Sequence, residues 1–467
     1  MKKSTKKKGS NASPLLFASQ EKIYPRAVHG LFALWRTIGV LMLLGTYYIV
    51  PWLQWGERQA ILFDLPNRQF HILGLTFWPQ DFFYFAVLLI IAAMALFFFT
   101  AVAGRIWCGY SCPQTVWTEA FLWIERKIEG DRPQQIKLDK SSWNIRKIRI
   151  KTTKHIIWLA FAGYTGFTFV GYFTPIIELS DSLMNLDLGV WEWFWIGFYS
   201  LATWGNAGFL REQVCLYMCP YARFQSVMFD KDTLVISYDK DRGEPRGSRK
   251  KTEDPKDKGL GSCIDCTLCV QVCPTGIDIR EGLQYQCIAC SACIDVCNNV
   301  MDKMDYAPNL IRYATQDSEQ GHRINILRPR VLIYAAILIG SIISLSLAIA
   351  NRTPLEMDIL RDRASLYKET NEGLIENVYT LKLINKDTLS HQYTLNVQGI
   401  PGITVKIKSD EIKVASGEML DLAVSVQVDP YELKKRSTAL QFYLEANDNA
   451  EIYVIEETRF LGPTGIR

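Results

Sequence analysis

Most of the chemistry this chain can do sits in its 12 cysteines, all of which fall between Cys108 and Cys297. Eight stand in two rows of the same spacing, C-x-x-C-x-x-C-x-x-x-C: Cys263, Cys266, Cys269 and Cys273, then Cys287, Cys290, Cys293 and Cys297. Thiolates spaced this way ligate iron–sulfur clusters, and in two-cluster bacterial ferredoxins the fourth cysteine of each row serves the other cluster. The expected sites are therefore Cys263, Cys266 and Cys269 with Cys297, and Cys273 with Cys287, Cys290 and Cys293, each for a [4Fe–4S] cluster. Structural zinc is the competing reading, but it wants paired ligands separated by a long gap, and two repeated rows lack that form. The first row ends in Cys273-Pro274 as the motif expects; the second ends in Cys297-Asn298, which keeps the ligands and changes the turn.

The other four cysteines form a second pattern. "WCGYSCP" (107–113) and "VCLYMCP" (214–220) share C-x-Tyr-x-C-P, with Arg105 and Arg211 ahead of them and Trp117 and Phe224 behind. The chain around them reads as an internal repeat. If the motif is helical, cysteines four apart share a face, and Pro113 and Pro220 end or kink the helix beyond them. Brought together, Cys108, Cys112, Cys215 and Cys219 place four thiols at one edge of a helix bundle. Soft thiolates there suit Cu(I), zinc or iron–sulfur, or act as a redox dithiol; plain packing is the bland alternative. His29 and His155 lie at the same level and are candidate metal or haem ligands, with interfacial hydrogen bonding as the simpler role. Met218 is a candidate soft donor as well as an ordinary packing residue.

The elements that must carry these residues alternate between membrane and water. Apolar runs at 31–53, 82–103, 156–177, 193–210 and 331–350 approach the ~20 residues a helix needs to span a bilayer, which predicts five transmembrane helices. The first run reads as an uncleaved helix because it is long and no small-residue cleavage site follows. Basic residues crowd the 1–30 tail, the 104–155 loop and the 321–330 approach, whereas the 176–190 loop carries Glu178, Asp181 and Asp187 and no Lys or Arg. The positive-inside rule then puts the N-terminus, the 104–155 loop and the 211–330 segment in the cytoplasm. That segment holds the cysteine rows as a 2[4Fe–4S] ferredoxin domain over about 255–305, tethered by the charged, Gly- and Pro-containing stretch 239–262. Beyond 355, stretches such as "VYTLKLINK" and "LDLAVSVQVD" alternate apolar and polar residues, predicting an antiparallel β-sandwich of immunoglobulin-like size over 355–467, outside the cytoplasm. The net charge of +4 is too small to argue for nucleic acid.

The combination of five spans, twin C-x-x-x-C-P motifs, "ISYDKDRGEPRG" (236–247), eight ferredoxin cysteines and a β-rich tail resembles the FixG/CcoG-type cytochrome c oxidase accessory proteins of bacteria. The resemblance implies a multi-pass protein of the bacterial inner membrane, with its C-terminal domain periplasmic. It implies a role in assembling cbb-type cytochrome c oxidase by reducing Cu(II) to Cu(I) for insertion, a cupric-reductase activity. Copper would be the substrate, a cytoplasmic donor would supply electrons, and oxidase-assembly or copper-transport proteins would be partners. By motif match, the eight ferredoxin cysteines bind two [4Fe–4S] clusters, and Cys108, Cys112, Cys215 and Cys219 form the catalytic site, where copper or haem would bind. Copper comes from the resemblance alone. Two alternatives stay open on the residues: a quinol-linked relay to a respiratory partner, and a non-catalytic scaffold whose clusters sense redox state.

Overall fold

The computed structural model describes residues 22–56, 58–254, 258–323, 325–362, 365–387, 389–407 and 411–463. Most of the expected basic tail, 1–21, lies outside these residues. The chain forms two compact units: one of residues up to Gly45 with Leu96–Thr165 and Gly197–Leu332, the other of Thr46–Ala95, Gly166–Ile196 and Ile333 onward.

Three helices among the described residues are long and apolar enough to cross a membrane, within Leu31–Trp52, Pro79–Ala103 and Pro329–Ala350. Their α-helical parts are α1 (Leu31–Ile49), α2 (Phe82–Ala103) and the last long helix, Pro329–Ala350. The two other expected spans take different forms. Residues 156–177 are divided between the end of a helix that starts in basic sequence, Ile145–Val170, and a turn that leads through Pro175 into Ile176–Met184. Residues 193–210 belong to a 14-residue helix, Val190–Thr203, continued by a π-helical stretch, Trp204–Leu210. Gly205, Asn206 and Gly208 weaken the α-helical ladder there, so neither segment presents an unbroken apolar α-helix of spanning length.

In the first unit, α2 is followed by α3 (Ile106–Tyr110) and α4 (Pro113–Glu129). The later segment reaches α5 (Pro220–Met228) and then α6 (Ala292–Met304), which carries the end of the second cysteine row. A two-stranded antiparallel ribbon, Val235–Tyr238 against Ile311–Ala314, closes over the rows. Ile236 and Tyr238 of one strand are buried on one face with Ile311, the residue opposite Tyr238, the alternation a strand with one covered face requires.

In the second unit, Asp81 at the start of α2 accepts Arg352 at 2.5 Å and Lys386 at 3.1 Å, all three side chains buried. Lys386 also pairs with Glu356. The C-terminal part is a two-sheet antiparallel sandwich, as the alternation predicts. One sheet runs Thr404–Ile407, Met419–Val428, Ile375–Asn385, Leu355–Arg361; the other runs Ile412–Val414, His391–Gln398, Ser437–Ala446, Tyr453–Leu461. Alternate residues Tyr379, Leu381, Leu383 and Val424, Val426, Val428 meet Leu440, Phe442 and Leu444 in the core.

His391 is buried at the head of its strand, with Nδ1 2.7 Å from Asp448 and Nε2 3.0 Å from Asp387. Burial alone would lower its pKa, but the two carboxylates outweigh it and hold the imidazolium above the ordinary 6.5. A raised folded pKa stabilises the fold fully below the unfolded value and loses that contribution as pH rises through the folded value. Scanning calorimetry of the whole chain in detergent should therefore show the sandwich transition falling as pH rises above 6.5. The expected loss is about 2 kcal/mol, the size of a charge-assisted pair of hydrogen bonds. In His391→Gln the slope should vanish; equal slopes in the two proteins would refute this account.

Candidate functional site

The two cysteine rows fold as copies of each other. In each, the residues on either side of the second cysteine take a left-handed backbone: Asp265 (φ 54°) and Thr267 (φ 57°) around Cys266, Ala289 (φ 54°) and Ser291 (φ 61°) around Cys290. None is glycine, and each such residue costs of order 1–2 kcal/mol, strain of the kind that collects where a chain wraps a ligand. The first row continues into the short helix Leu268–Gln271, the second into α6.

Two cavities lie among these cysteines. One is lined by Cys263, Cys266, Cys269 and Cys297 with Tyr238, Arg280 and Leu310. The other is lined by Cys273, Cys287, Cys290 and Cys293 with Thr275 and Ile277, and Cys269 reaches its wall as well. Each cavity thus brings together the four cysteines of one expected set, with Cys269 on both walls. Among the described residues no three His, Cys, Asp or Glu side chains converge on a point that would hold a single metal ion. Four thiols lining each cavity match the donor set that a [4Fe–4S] cluster would need. Burial pushes Cys269 up to about 11, and Cys287 and Cys297 up to about 12, so iron must displace protons to bind. Ile236, Ile279, Ile294, Met301 and Ile311 pack around the rows, and Cys266 alone of the eight cysteines stays exposed.

The twin motifs depart from the helical reading. Cys112 and Cys219 are extended N-cap residues, at φ −62°, ψ 129° and φ −79°, ψ 111°, and Pro113 and Pro220 open α4 and α5. Proline lacks the N–H that a first helical position leaves unpaired anyway, so it starts the next helix instead of ending the last. Cys108 sits in α3 and Cys215 in a π-helical turn, Val214–Met218. The repeat is real in three dimensions, and its halves hold each other: Gln114 Nε2 donates to Arg211 O at 3.1 Å, Arg105 donates to Ala222 O, and Cys108 Sγ lies 3.3 Å from Gln225 Oε1. The four thiols are electrostatic neighbours. Burial first, then the adjacent thiols, push Cys108 up to about 11 and Cys215 to about 12.

The two arginines ahead of the motifs differ. Arg211 is bound by Glu125 at 2.7 Å, and Glu125 also takes Lys154 at 3.1 Å. Arg105 is buried, its Nε has no hydrogen-bond partner, and among the described residues no carboxylate lies within ion-pair distance of it.

The second cysteine row docks on the motifs. A Cβ on Gly109 would lie 2.7 Å from Ile288 O and 2.8 Å from Ala289 O, so only glycine lets α3 lie on that loop. Tyr110 Oη donates to Ser291 Oγ at 3.0 Å, Tyr285 Oη to Leu216 O at 3.4 Å, and Arg36 Nη1 to Cys290 O at 3.1 Å. Cys108 packs on the cluster of Val272, Ile288, Cys290 and Ala292. Asp295 of α6 accepts the N–H groups of Phe32 and Ala33, at 3.2 and 2.7 Å, and so caps α1. Sequence reasoning missed Gly109, Arg36 and Asp295; each matters through a contact between distant segments. On the other side of Cys219, an open groove is lined by Tyr217, Met218, Pro220, Arg223, Phe224 and Val227.

Neither histidine joins the thiols as a metal site. His29 is exposed. The His155 ring lies in an aromatic nest, stacked on Phe209 with centroids 5.7 Å apart and edge-on to Trp158 and Trp204.

Comparison with known proteins agrees with this layout. The family model of a 4Fe–4S dicluster domain matches residues 210–316, that of a 4Fe–4S binding domain matches 85–130, and that of the Ig-like fold at the C-terminal of FixG matches 345–463. The chain is 36% identical to nitrogen fixation protein FixG of Rhizobium meliloti over 451 residues, 89% of this chain and 85% of that one. It is 39% identical to protein RdxB of Cereibacter sphaeroides over 422 residues, 85% of this chain and 88% of that one. A crystal structure of a FixG-related protein from Vibrio parahaemolyticus is similar over 23% of this chain and 95% of its own, at 36% identity and TM-score 0.21. Iron–sulfur ligation, apolar helices of spanning length and relatives matched over most of their length make one assignment: the chain belongs to the FixG/RdxB-type family of membrane iron–sulfur redox proteins.

Proposed function

We propose that this protein reduces Cu(II) to Cu(I) for assembly of a cbb-type cytochrome c oxidase. The observation that carries the reading is the docking of the second cysteine row on the paired membrane thiols through Gly109, Tyr110 and Tyr285. Cys263, Cys266, Cys269 and Cys297 hold one cluster, and Cys273, Cys287, Cys290 and Cys293 the other. When bound, such clusters supply single electrons, the unit in which Cu(II) is reduced. Gly109 and Tyr110 keep the second row against the motif; Arg211, fixed by Glu125, holds the other motif in register. Cys219 and Met218 meet in the open groove, and thiolate and thioether donors favour the +1 ion over the +2 ion. Copper itself comes from the likeness to the oxidase accessory proteins.

The segments at 156–177 and 193–210 complete a five-span bundle in this reading, the cysteine rows face the cytoplasm and a cytoplasmic donor, and the sandwich faces the periplasm. That arrangement follows the basic residues of the 104–155 loop and the approach to the last span. Partners would be oxidase-assembly or copper-transport proteins.

The test is anaerobic stopped-flow of the reduced holoprotein against weakly chelated Cu(II). Cluster oxidation should yield Cu(I) and should slow by about tenfold or more, at least 1.4 kcal/mol in barrier, when Cys108, Cys112, Cys215 and Cys219 are all serine. Oxidation by a quinone and not by Cu(II) would replace this reading with the respiratory relay. No turnover with either would leave the scaffold.

A further inference from the structure

The two cysteine rows have matching backbones and unlike electrostatic surroundings. Beside the first row, Arg280 is neutralised by Asp278 at 2.6 Å and Asp265 at 2.5 Å, and Cys266 is exposed to solvent. Arg249 reaches the carbonyls of Gly261 and Cys263 from a half-exposed position. Charges there are balanced or screened.

The second row is deeper. Arg105 lies within electrostatic reach of Cys287, and also of Cys108 and Cys215 in the twin motifs. It is buried with an orphan Nε and, among the described residues, no carboxylate partner. Arg36 donates to Cys290 O and shares the carboxylate of Glu119 with Arg126, which pairs with it at 3.0 Å. Of the other carboxylates nearby, Glu212 lies beside Arg211, and Asp295 is taken up by the N-terminus of α1, where the helix dipole offsets its charge. The second row therefore faces one buried guanidinium without a carboxylate among the described residues, Arg105, and one that only shares its carboxylate, Arg36, and both act through a poorly screening interior. A buried cation without a counter-charge is costly, unless an anion the protein binds supplies that charge. A cube ligated by four thiolates is such an anion, and gains a further negative charge on reduction.

The geometry points to Arg105 and Arg36 as the residues that set the second-row cluster at the higher reduction potential, so that electrons run from the exposed first row toward the twin motifs. Burial alone would do the opposite, since a less hydrated cluster resists taking on negative charge. The two guanidinium groups reverse that order. Both are positioning residues, acting through the cluster and touching no substrate. The inference rests on the reading of the rows as cluster ligands.

The experiment is an anaerobic redox titration of the holoprotein followed by electron paramagnetic resonance, with iron counted in the same samples. Wild type should show two separable potentials, the higher assigned to the second row because Cys273→Ser removes it. Arg105→Gln should lower only that potential, by about tenfold in the reduction equilibrium, ~59 mV for one electron, and Arg105→Lys should restore most of the difference. Arg36→Gln should act in the same direction, so the test survives if one variant fails to accumulate. Asp278→Asn, which releases the charge of Arg280, should raise the lower potential and narrow the gap. Unmoved potentials in Arg105→Gln and Arg36→Gln at full iron content, or a higher potential on the first row, would overturn the inference. Loss of iron from wild type would instead overturn the cluster reading beneath it.

Discussion

Gly109→Val should cut copper reduction by about tenfold or more, a cost of at least 1.4 kcal/mol in barrier, while leaving the iron content unchanged. The argument is steric. An added Cβ would stand 2.7 and 2.8 Å from two backbone carbonyl oxygens, of Ile288 and Ala289, and 2.9 Å from a backbone carbon of Ala289. No side chain can rotate out of the way, so the α3 segment and the cysteine loop must part. Gly109 lies within α3 and is not among the glycines of positive φ, so valine does not strain the local backbone, and glycine is the poorer helix former of the two. Local propensity therefore favours the variant, and any loss must come from the parted surfaces. Gly109→Ala should give a smaller effect in the same direction, since it adds the Cβ alone. Full activity in both variants would mean that this contact does not serve turnover.

The second large effect concerns which cysteines belong together. Losing one ligand of a cluster should remove about four irons per chain, and losing a second ligand of the same cluster should remove no more. Crosswise ligation then makes Cys269→Ser with Cys297→Ser equivalent to either single change, because both line the first cavity. Cys269→Ser with Cys273→Ser should instead cost both clusters, although those two residues are in one row. Rows that each closed their own cluster would give the reverse pattern, and iron and acid-labile sulfide analysis of the two double variants decides between them. Cys269 also touches the wall of the second cavity, so Cys263→Ser with Cys297→Ser is the cleaner same-cluster pair.

The iron–sulfur rows could be read from spacing because cluster ligation is local: three thiols of each expected set lie within seven residues, and the repeat suggests a crosswise fourth. The sandwich was equally legible, since a strand with one buried face must alternate, as Tyr379, Leu381 and Leu383 do. The five spans were only partly so. Hydropathy counts apolar residues and is blind to where a helix stops, and Gly171, Pro175 and the π-helical stretch Trp204–Leu210 interrupt two of the runs. The C-x-x-x-C-P motif misled in a similar way. The motif predicts a helix that proline ends, but at Pro113 and Pro220 proline begins one, and that moves Cys112 and Cys219 off the helical face. The difference between Arg105 and Arg211 left no mark in the sequence. The two occupy matching places, and only the fold reveals that Glu125 reaches one and, among the described residues, no carboxylate reaches the other.

The cap on α1 has a consequence for how the molecule is made. Asp295 satisfies the amides of Phe32 and Ala33 across 263 and 262 residues of chain, so the helix α1 is completed by a segment made long after it. Contacts of such long range form late. Until α6 has folded around its cysteines, those two amides must be met by water or lipid headgroups, and the N-terminal end of α1 is held only loosely. Maturation of the iron-bearing segment and the final seating of the first membrane helix thus become one event. A chain without its iron is then expected to leave the first turn of its first apolar helix without the Asp295 cap.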